Sequence, residues 1–387
     1  MPARSRRSAS PGRSKARRST AKPHVLVVGG GIMGTSCALA LARRGAAVTV
    51  LEKSIPGAEA SSAAAGILGA QLECTAPGPL YELCRASMRL YPSWVKQLTE
   101  DTGIDVGYRP GGTMSVVFDR AAITGAHRRF AWQAPEGSVE RVGRRRLLEL
   151  EPALSPALAG GVLLEDDARI TPPLLYRATH IAAARAGVTF RTGAFVRRVF
   201  TEGERARGVA LDDGTLLEAD VVVVAAGSWT SLVEGISLGS SRVVPARGQI
   251  VELESPAPVL SRVVCGPRCY LIPRDDGRTL IGSTLEFVGY QRNVTARGVR
   301  DLLGAAIELV PALADASLRG TWSNFRPYTA DHLPLIGRGA LEGLLIASGH
   351  YRNGILLAPA TAETIARLVF GGRPLLDLNP FDPTRQP

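Results

Sequence analysis

Cysteine is scarce in this chain: Cys37, Cys74, Cys84, Cys265 and Cys269 are the only five among 387 residues. They form no C-x-x-C pair and no His clusters beside them, which argues against a disulfide framework and against a zinc site. They read as idle thiols in a reducing cytosol. No stretch of about twenty apolar residues occurs, so no membrane-spanning helix is expected. The start of the chain lacks the apolar segment of a secretory signal. The first 22 residues contain no acid at all, only eight Lys or Arg and many Ser. The whole chain carries 46 basic and 35 acidic residues, a net of +11; without that stretch the balance is 38 against 35. The basic excess is therefore mainly a property of the tail, which reads as a solvated segment. Contact with nucleic acid or an anionic surface, or a transit function, are the other readings of it. The chain is expected to be soluble and cytoplasmic, with no membrane insertion and no nucleic-acid partner, and with self-association left open.

The folded body is organised around residues 24–52, HVLVVGGGIMGTSCALALARRGAAVTVLE. Residues 25–28 read as a short buried strand, and Gly29, Gly31 and Gly34 follow it as G-x-G-x-x-G. An amphipathic helix is expected over 35–44, closed by Gly45, with a second strand over 48–51 that ends at Glu52. In this pattern the first glycine permits a tight turn. The second lets a pyrophosphate approach the backbone, and the third lets helix and strand pack closely. The helix start offers free N–H groups and a positive dipole end to phosphate. Glu52 stands where an acid accepts hydrogen bonds from an adenosine ribose. A dinucleotide is expected here, and the stretch by itself admits either NAD or FAD.

Ser61 to Gly69, SSAAAGILG, puts small residues in a row. Such a run is either a backbone held close to a flat or charged ligand or a helix start packed tightly on a sheet. Tyr91, Trp94, Val95 and Leu98 recur at helical spacing and read as core. From residue 104 to about 151 the βαβ rhythm stops. A strand at 111–118 and a basic helical stretch with Arg144, Arg145 and Arg146, read as a solvated face, belong to a second domain. The nucleotide-binding domain resumes near Gly161 with a helix over 174–186 and strands over 188–191 and 194–200. Asp212-Asp213-Gly214 is a hairpin turn signal. A buried strand then stops in Ala225-Ala226-Gly227, which should lie near the glycine loop, because ligands sit beyond the carboxyl ends of such strands. Strands at 245–253, 269–273 and 279–282, grouped before a helix near 299–310, suggest an antiparallel sheet on the substrate side. Trp322 opens a last segment that ends in a helix reaching Phe370. The expected class is α/β: a discontinuous Rossmann-like domain (23–106, 160–242 and 322–375) with an α+β substrate domain (107–159 and 243–321). A basic tail (1–22) and a C-terminal tail (376–387) flank them.

Five motifs in order, GGGIMG, SSAAAGILGA, CYLIPR, FRP-x-T-x-D-x-x-PLIG and GHYRNGILLAPAT, resemble the FAD-dependent D-amino-acid oxidase superfamily over nearly everything after the tail. SSAAAG and the last motif are similar to its glycine oxidase branch of thiamine biosynthesis. The resemblance implies non-covalent FAD. Ile32 and Met33 would lie at its pyrophosphate, Glu52 and Lys53 at its adenosine, and the Val196 backbone at its adenine. Ala60, Ser61, Ala65, Gly66 and Ile67 would run along the flavin. His350, Tyr351, Arg352, Asn353, Gly354, Ile355 and Leu356 would lie under its ring. The resemblance gives Arg326 the substrate carboxylate and places Tyr270 and Arg352 in the substrate pocket. Residue chemistry agrees with this: Arg offers a planar, two-pronged donor to a carboxylate, and Arg326 precedes Pro327, so its backbone is extended. Gly349 and Gly354 bracket the turn into the last helix, whose positive end would stabilise negative charge on a reduced flavin.

The expected reaction is hydride transfer from the α-carbon of a small amino acid or amine to FAD. Hydrolysis then gives an oxo acid and ammonia, and molecular oxygen takes the electrons and leaves as hydrogen peroxide. The cofactor carries the chemistry, so no catalytic side chain and no metal is required, and His350 reads as scaffold rather than base. Two departures bear on substrate. Glycine oxidases commonly show a small residue where this chain has Tyr328, which would either narrow the pocket or merely cover it. Arg268 stands where relatives often show His, and would either favour acidic substrates or face solvent. A D-amino-acid or sarcosine oxidase or dehydrogenase of the same fold, a tRNA-modifying flavin enzyme and a non-enzymatic flavin module are the alternatives.

Overall fold

The computed structural model describes residues 22–386 apart from 136, 240 and 241. The basic tail expected over 1–22 lies outside these residues except for Lys22. Strand β1 (His24–Val28) pairs in parallel with β2 (Ala47–Glu52) on one side and with Val221–Val224 on the other. Val25 and Val27 face the helices, whereas Leu26 and Val28 face a three-stranded antiparallel sheet (Val196–Glu202, Arg205–Leu211, Leu216–Glu218), so residues 25–28 of β1 are buried on both faces and apolar rather than alternating. The six-stranded sheet runs Leu335–Arg338, Leu344–Ser348, Val221–Val224, β1, β2, Thr189–Thr192. All neighbours are parallel except the first two, which are antiparallel.

Helix α1 (Ile32–Arg43) connects β1 to β2 and begins three residues before its expected start. The reason is close packing. Gly34 falls within the first turn, where a Cβ would sit 2.0 Å from the Gly29 carbonyl oxygen, so this glycine serves the approach of helix to loop and does not delay the helix. The small-residue run forms a four-residue helix, α2 (Ala60–Ala63). Helix α3 (Pro79–Thr102) buries Tyr91 and Leu98, with Trp94 and Val95 packed beside them, as the helical spacing indicates.

The second sheet has eight strands in the order Ser317–Tyr328, Val244–Glu254, Arg278–Gly282, Tyr270–Pro273, Val263–Cys265, Thr113–Val117, Gly160–Leu164, Val139–Gly143. It is antiparallel except for one parallel pair, Val263–Cys265 with Thr113–Val117. We number two of its strands: β3 (Val244–Glu254) and β4 (Ser317–Tyr328). Strand pairing corrects two of the expected boundaries. Gly160–Leu164, expected in the nucleotide-binding domain, pairs here with Thr113–Val117 and Val139–Gly143; its fully buried GGVLL run imitates a central parallel strand. Residues 322–328, expected to open the nucleotide domain's last segment, finish β4 and stay paired with β3 to Tyr328. Pro327 does not break the strand because it lies on the sheet edge opposite Pro245.

Helix α4 (Gly354–Val369) carries Pro359 in its interior. Proline has no N–H, which frees the carbonyl four residues back. Tyr91 of α3 donates its hydroxyl to that Ile355 carbonyl, and Ser87 Oγ, one turn away, donates to Leu356 O at 2.6 Å. Two α3 side chains thereby support the first turns of α4. The expected C-terminal tail is also packed. Phe381 is buried, and Arg385 donates to both carboxylate oxygens of Asp331 at 2.8 and 3.0 Å. Among the described residues no helix is long and apolar enough to cross a membrane.

Candidate functional site

The carboxyl ends of β1 and Val221–Val224 open onto a cavity that continues between the two sheets to Arg326. At its first end, backbone contacts dictate residue type. A Cβ on Gly29 would fall 2.5 Å from Ala225 O, and Gly29 has a φ of +104°, so only glycine serves there. No side chain of the N-cap residue Gly31 caps α1; the Ile32 N–H donates instead to Ser61 Oγ at 2.8 Å. The buried Glu52 carboxylate accepts from the Gly30 N–H at 2.8 Å and the Ser54 N–H at 3.0 Å, which fixes it as an acceptor beside the loop. Lys53 Nζ lies 3.4 Å from the Trp229 ring centroid and 3.5 Å from Glu59 Oε1, a cation–π contact backed by an acid. Met33 and Val196 line the same cavity.

Its middle is walled by Ala60, Ser61, Ala65, Gly66 and Ile67 and by His350 to Ile355. His350 is buried with Nε2 3.1 Å from Thr361 Oγ1, and burial pushes its imidazole down to about 3. It is neutral at physiological pH. The Tyr351 N–H donates to Pro327 O at 2.9 Å, tying this turn to the end of β4. Asn353, the N-cap of α4, makes no side-chain capping bond, so the helix enters the cavity without an internal cap on its first N–H groups.

At the far end Arg326 projects from β4 across Gly248, where a Cβ would meet the guanidinium at 2.3 Å. It donates to Ser283 Oγ and to Thr284 O at 3.3 Å, both neutral. Among the described residues no carboxylate lies within ion-pair distance of it. Arg352 differs. Its Nε lies 2.9 Å from Glu73 Oε2, and that carboxylate, ahead of the opposing cost of burial, raises the Arg352 pKa. The Tyr270 ring crosses Gly282, where an added Cβ would be 2.4 Å from its hydroxyl oxygen, and lines the same end.

Of the expected site residues, all but Gly34 and Leu356 line this cavity. Gly34 lies beneath the loop, and α-helical geometry turns Leu356 into the core with its carbonyl on Ser87. Tyr328 is absent from the lining and packs edge-on against Phe287 and Tyr351, each 5.0 Å away between ring centroids, so it does not narrow the cavity. Arg268 pairs with Glu308 and is largely exposed, away from the cavity. Glu73, Trp229, Gly248 and Ser283 are cavity residues that sequence reasoning did not single out as site residues. No motif marks Glu73 or Ser283; Trp229 follows the small-residue turn, the one signal that pointed to its neighbourhood.

A family model described as FAD dependent oxidoreductase, DAO, matches residues 24–368. The chain belongs to this family. The glycine oxidase of Geobacillus kaustophilus is 37% identical over 367 residues, covering 93% of this chain and 96% of that protein. The bifunctional protein ThiO/ThiG of Synechocystis is likewise 37% identical over 93% of this chain, which spans only 54% of that longer protein. In three dimensions the G. kaustophilus glycine oxidase gives a TM-score of 0.88 at 36% identity, over 95% of this chain and all of that one. Iminodiacetate oxidase from Chelativorans sp. BNC1 gives 0.85 at 31% identity, over 93% and 98%. The DAO family's cofactor suits the residues present. The loop leaves no room for a Cβ at Gly29 or Gly34, Glu52 is a fixed buried acceptor, and two helix N-termini, α1 and α4, border one cavity.

Proposed function

We propose that this chain oxidises glycine, or a related small amino acid or amine, to the oxo acid, ammonia and hydrogen peroxide. The observation that carries the reading is Arg326: a cation in the cavity, cradled over Gly248 and, among the described residues, bonded only to neutral oxygens. A guanidinium held in this way is completed by a carboxylate, which it binds through two parallel hydrogen bonds. Bound FAD, non-covalently held, supplies the two-electron acceptor for the substrate's α-C–H bond.

The chain's own residues bind and orient. Arg326 fixes the substrate carboxylate and therefore which α-hydrogen points along the cavity, with Tyr270 beside it. Arg352 is held by Glu73 and contributes a wall rather than a second open cation, which favours an amine bearing one carboxylate over a dicarboxylate. Glu52 and Lys53 serve the adenosine end, Ile32 and Met33 the pyrophosphate, and the uncapped start of α4 stabilises negative charge as electrons arrive. Neutral His350 neither takes nor gives the substrate proton. Glycine, water and oxygen balance to glyoxylate, ammonia and hydrogen peroxide. A role in thiamine biosynthesis is supported by the likeness to ThiO/ThiG and to glycine oxidase.

The test is anaerobic flavin bleaching with glycine, sarcosine, D-alanine and iminodiacetate, followed by oxygen uptake for Arg326→Ala. Loss of the bidentate contact should lower kcat/KM for glycine by about 10²- to 10³-fold, from ~3–4 kcal/mol of charge-assisted hydrogen bonding. Unchanged kcat/KM in a variant that retains FAD refutes the carboxylate role.

A further inference from the structure

Arg274 follows the strand Tyr270–Pro273 and turns behind the cavity wall rather than into it. Its side chain bridges two backbone carbonyls: Nη1 donates to Ile170 O at 2.9 Å and Nη2 to Ala65 O at 2.6 Å. Neighbouring arginines all have acids. Arg109 and Arg169 share Asp275, and Arg278 has Asp276 and Glu252. Arg274, only 5% exposed, has none within ion-pair distance among the described residues. Burial, then the Arg169 and Arg278 charges, pull its pKa down to about 10, which still leaves it protonated at neutral pH. Burying an unpaired charge is costly, and a neutral donor would join two carbonyls for less.

What the cation holds is the cavity wall. Three carbonyls of this stretch are engaged on the protein side: Ala63 O by the Trp322 indole at 3.1 Å, Ala65 O by Arg274, and Gly66 O by the Ile170 N–H at 2.9 Å. Across a trans peptide the N–H points opposite to the C=O. The Gly66 N–H therefore faces away from the guanidinium, on the side where Ala65 and Gly66 line the cavity. Gly66 has a φ of +92°, and a Cβ there would meet Ile170 O at 2.1 Å, so the conformation is reserved for glycine. A hydrogen bond from a cation to the carbonyl polarises the same peptide's N–H, because linked hydrogen bonds strengthen one another.

We propose that Arg274 is a positioning residue for the cofactor, fixing the Ala65–Gly66 peptide so that a polarised Gly66 N–H is presented to FAD and favours its electron-rich state. The inference is independent of which amine is the substrate. It is tested with Arg274→Met, which removes donors and charge, and Arg274→Lys, which keeps the charge but cannot bridge two carbonyls in one plane. The measurements are FAD affinity by fluorescence titration of the apoprotein, affinity of the bound flavin for sulfite, and thermal melting. Sulfite adds to the flavin as a nucleophile, so its affinity reports how well the site stabilises negative charge.

Arg274→Met should weaken FAD binding and sulfite binding by about tenfold each. Arg274→Lys should weaken FAD binding similarly but keep sulfite affinity within about threefold of the parent. A purely structural arginine would lower the melting temperature and leave sulfite affinity unchanged in the Met variant; that result overturns the proposal. If the Met variant does not fold, the Lys variant decides. FAD binding weakened without a matching fall in the melting temperature supports the assignment; parental FAD affinity, or a loss of affinity that only follows the melting temperature, overturns it.

Discussion

Replacing Glu73 by Gln should change which acids the pocket accepts. In the parent chain Arg352 reaches the cavity with its charge already answered, Nε lying 2.9 Å from Glu73 Oε2. Gln is nearly isosteric and its amide oxygen can still accept from Arg352, so the guanidinium should keep its place while losing its counter-charge. The cavity end would then hold two cations open to a ligand, Arg326 and Arg352, in place of one. A hydrogen bond to a charged group contributes ~1.5–3 kcal/mol. Arg352 is 43% exposed, so solvent screens a new pair, and the low end of that range applies. Each 1.4 kcal/mol is a factor of ten, so the ratio of kcat/KM for iminodiacetate to that for glycine should rise about tenfold. Oxygen uptake on both substrates measures the ratio, with the flavin spectrum as a check on cofactor content. Raising the salt from 0.05 to 0.5 M should erode the gain, because the new attraction is partly solvent-exposed. If the ratio stays within about twofold of the parent while FAD is retained, Arg352 does not contact the substrate's distal end and the one-open-cation account of specificity is wrong.

Two further perturbations test other parts of the chain. Gly34→Ala places a Cβ 2.0 Å from Gly29 O, against backbone that has nowhere to go. It should cost about 1–3 kcal/mol from overpacking and reduce FAD content on purification, read as the 450 nm to 280 nm absorbance ratio; normal FAD content and an unchanged Tm would refute the close-packing role. The Glu286 carboxylate is held down to about 2 by hydrogen bonds from Arg247, against the opposing effect of burial and with help from Gln249 and Thr284. A depressed carboxylate pKa stabilises the fold fully above its unfolded value, near 4.3, and that contribution is lost as pH falls toward 2. Glu286→Gln should therefore lower stability at pH 7 by ~1–2 kcal/mol, screened because Glu286 is 29% exposed. The difference from the parent should shrink in urea titrations between pH 4.5 and 2.5, and a pH-independent difference would show that charge is not its origin.

The adenosine end of the site was legible because its parts are contiguous. Strand, glycine turn, helix and acid lie within residues 24–52, and each leaves a local mark: an apolar run, a spacing of glycines, a terminal Glu. Even there the local rule misplaced the start of α1, since Gly34 breaks helices in general but here permits the approach to Gly29. The two misdrawn boundaries have the same origin. Gly160–Leu164 and the end of β4 owe their sheet membership to partners far along the chain, Thr113–Val117 and Val244–Glu254, and burial pattern alone cannot name a partner. The substrate end is assembled almost wholly in this second way. Arg326 could be named from its motif, but what makes it an open cation is Gly248 beneath it, Ser283 beside it and the missing acid around it. Arg352, from the neighbouring motif, looks equivalent in sequence and is made different by Glu73, 279 residues earlier and in no motif. An arginine's identity reports that it can bind a carboxylate; whether one of the protein's own has already taken that place is decided by folding. The same distinction applies to Arg274, whose motif neighbour Tyr270 lines the cavity while the arginine passes behind it. On this reading substrate class depends on how two arginines, Arg326 and Arg352, are paired, and exchanging their partners, rather than the arginines themselves, is the more direct way to change it.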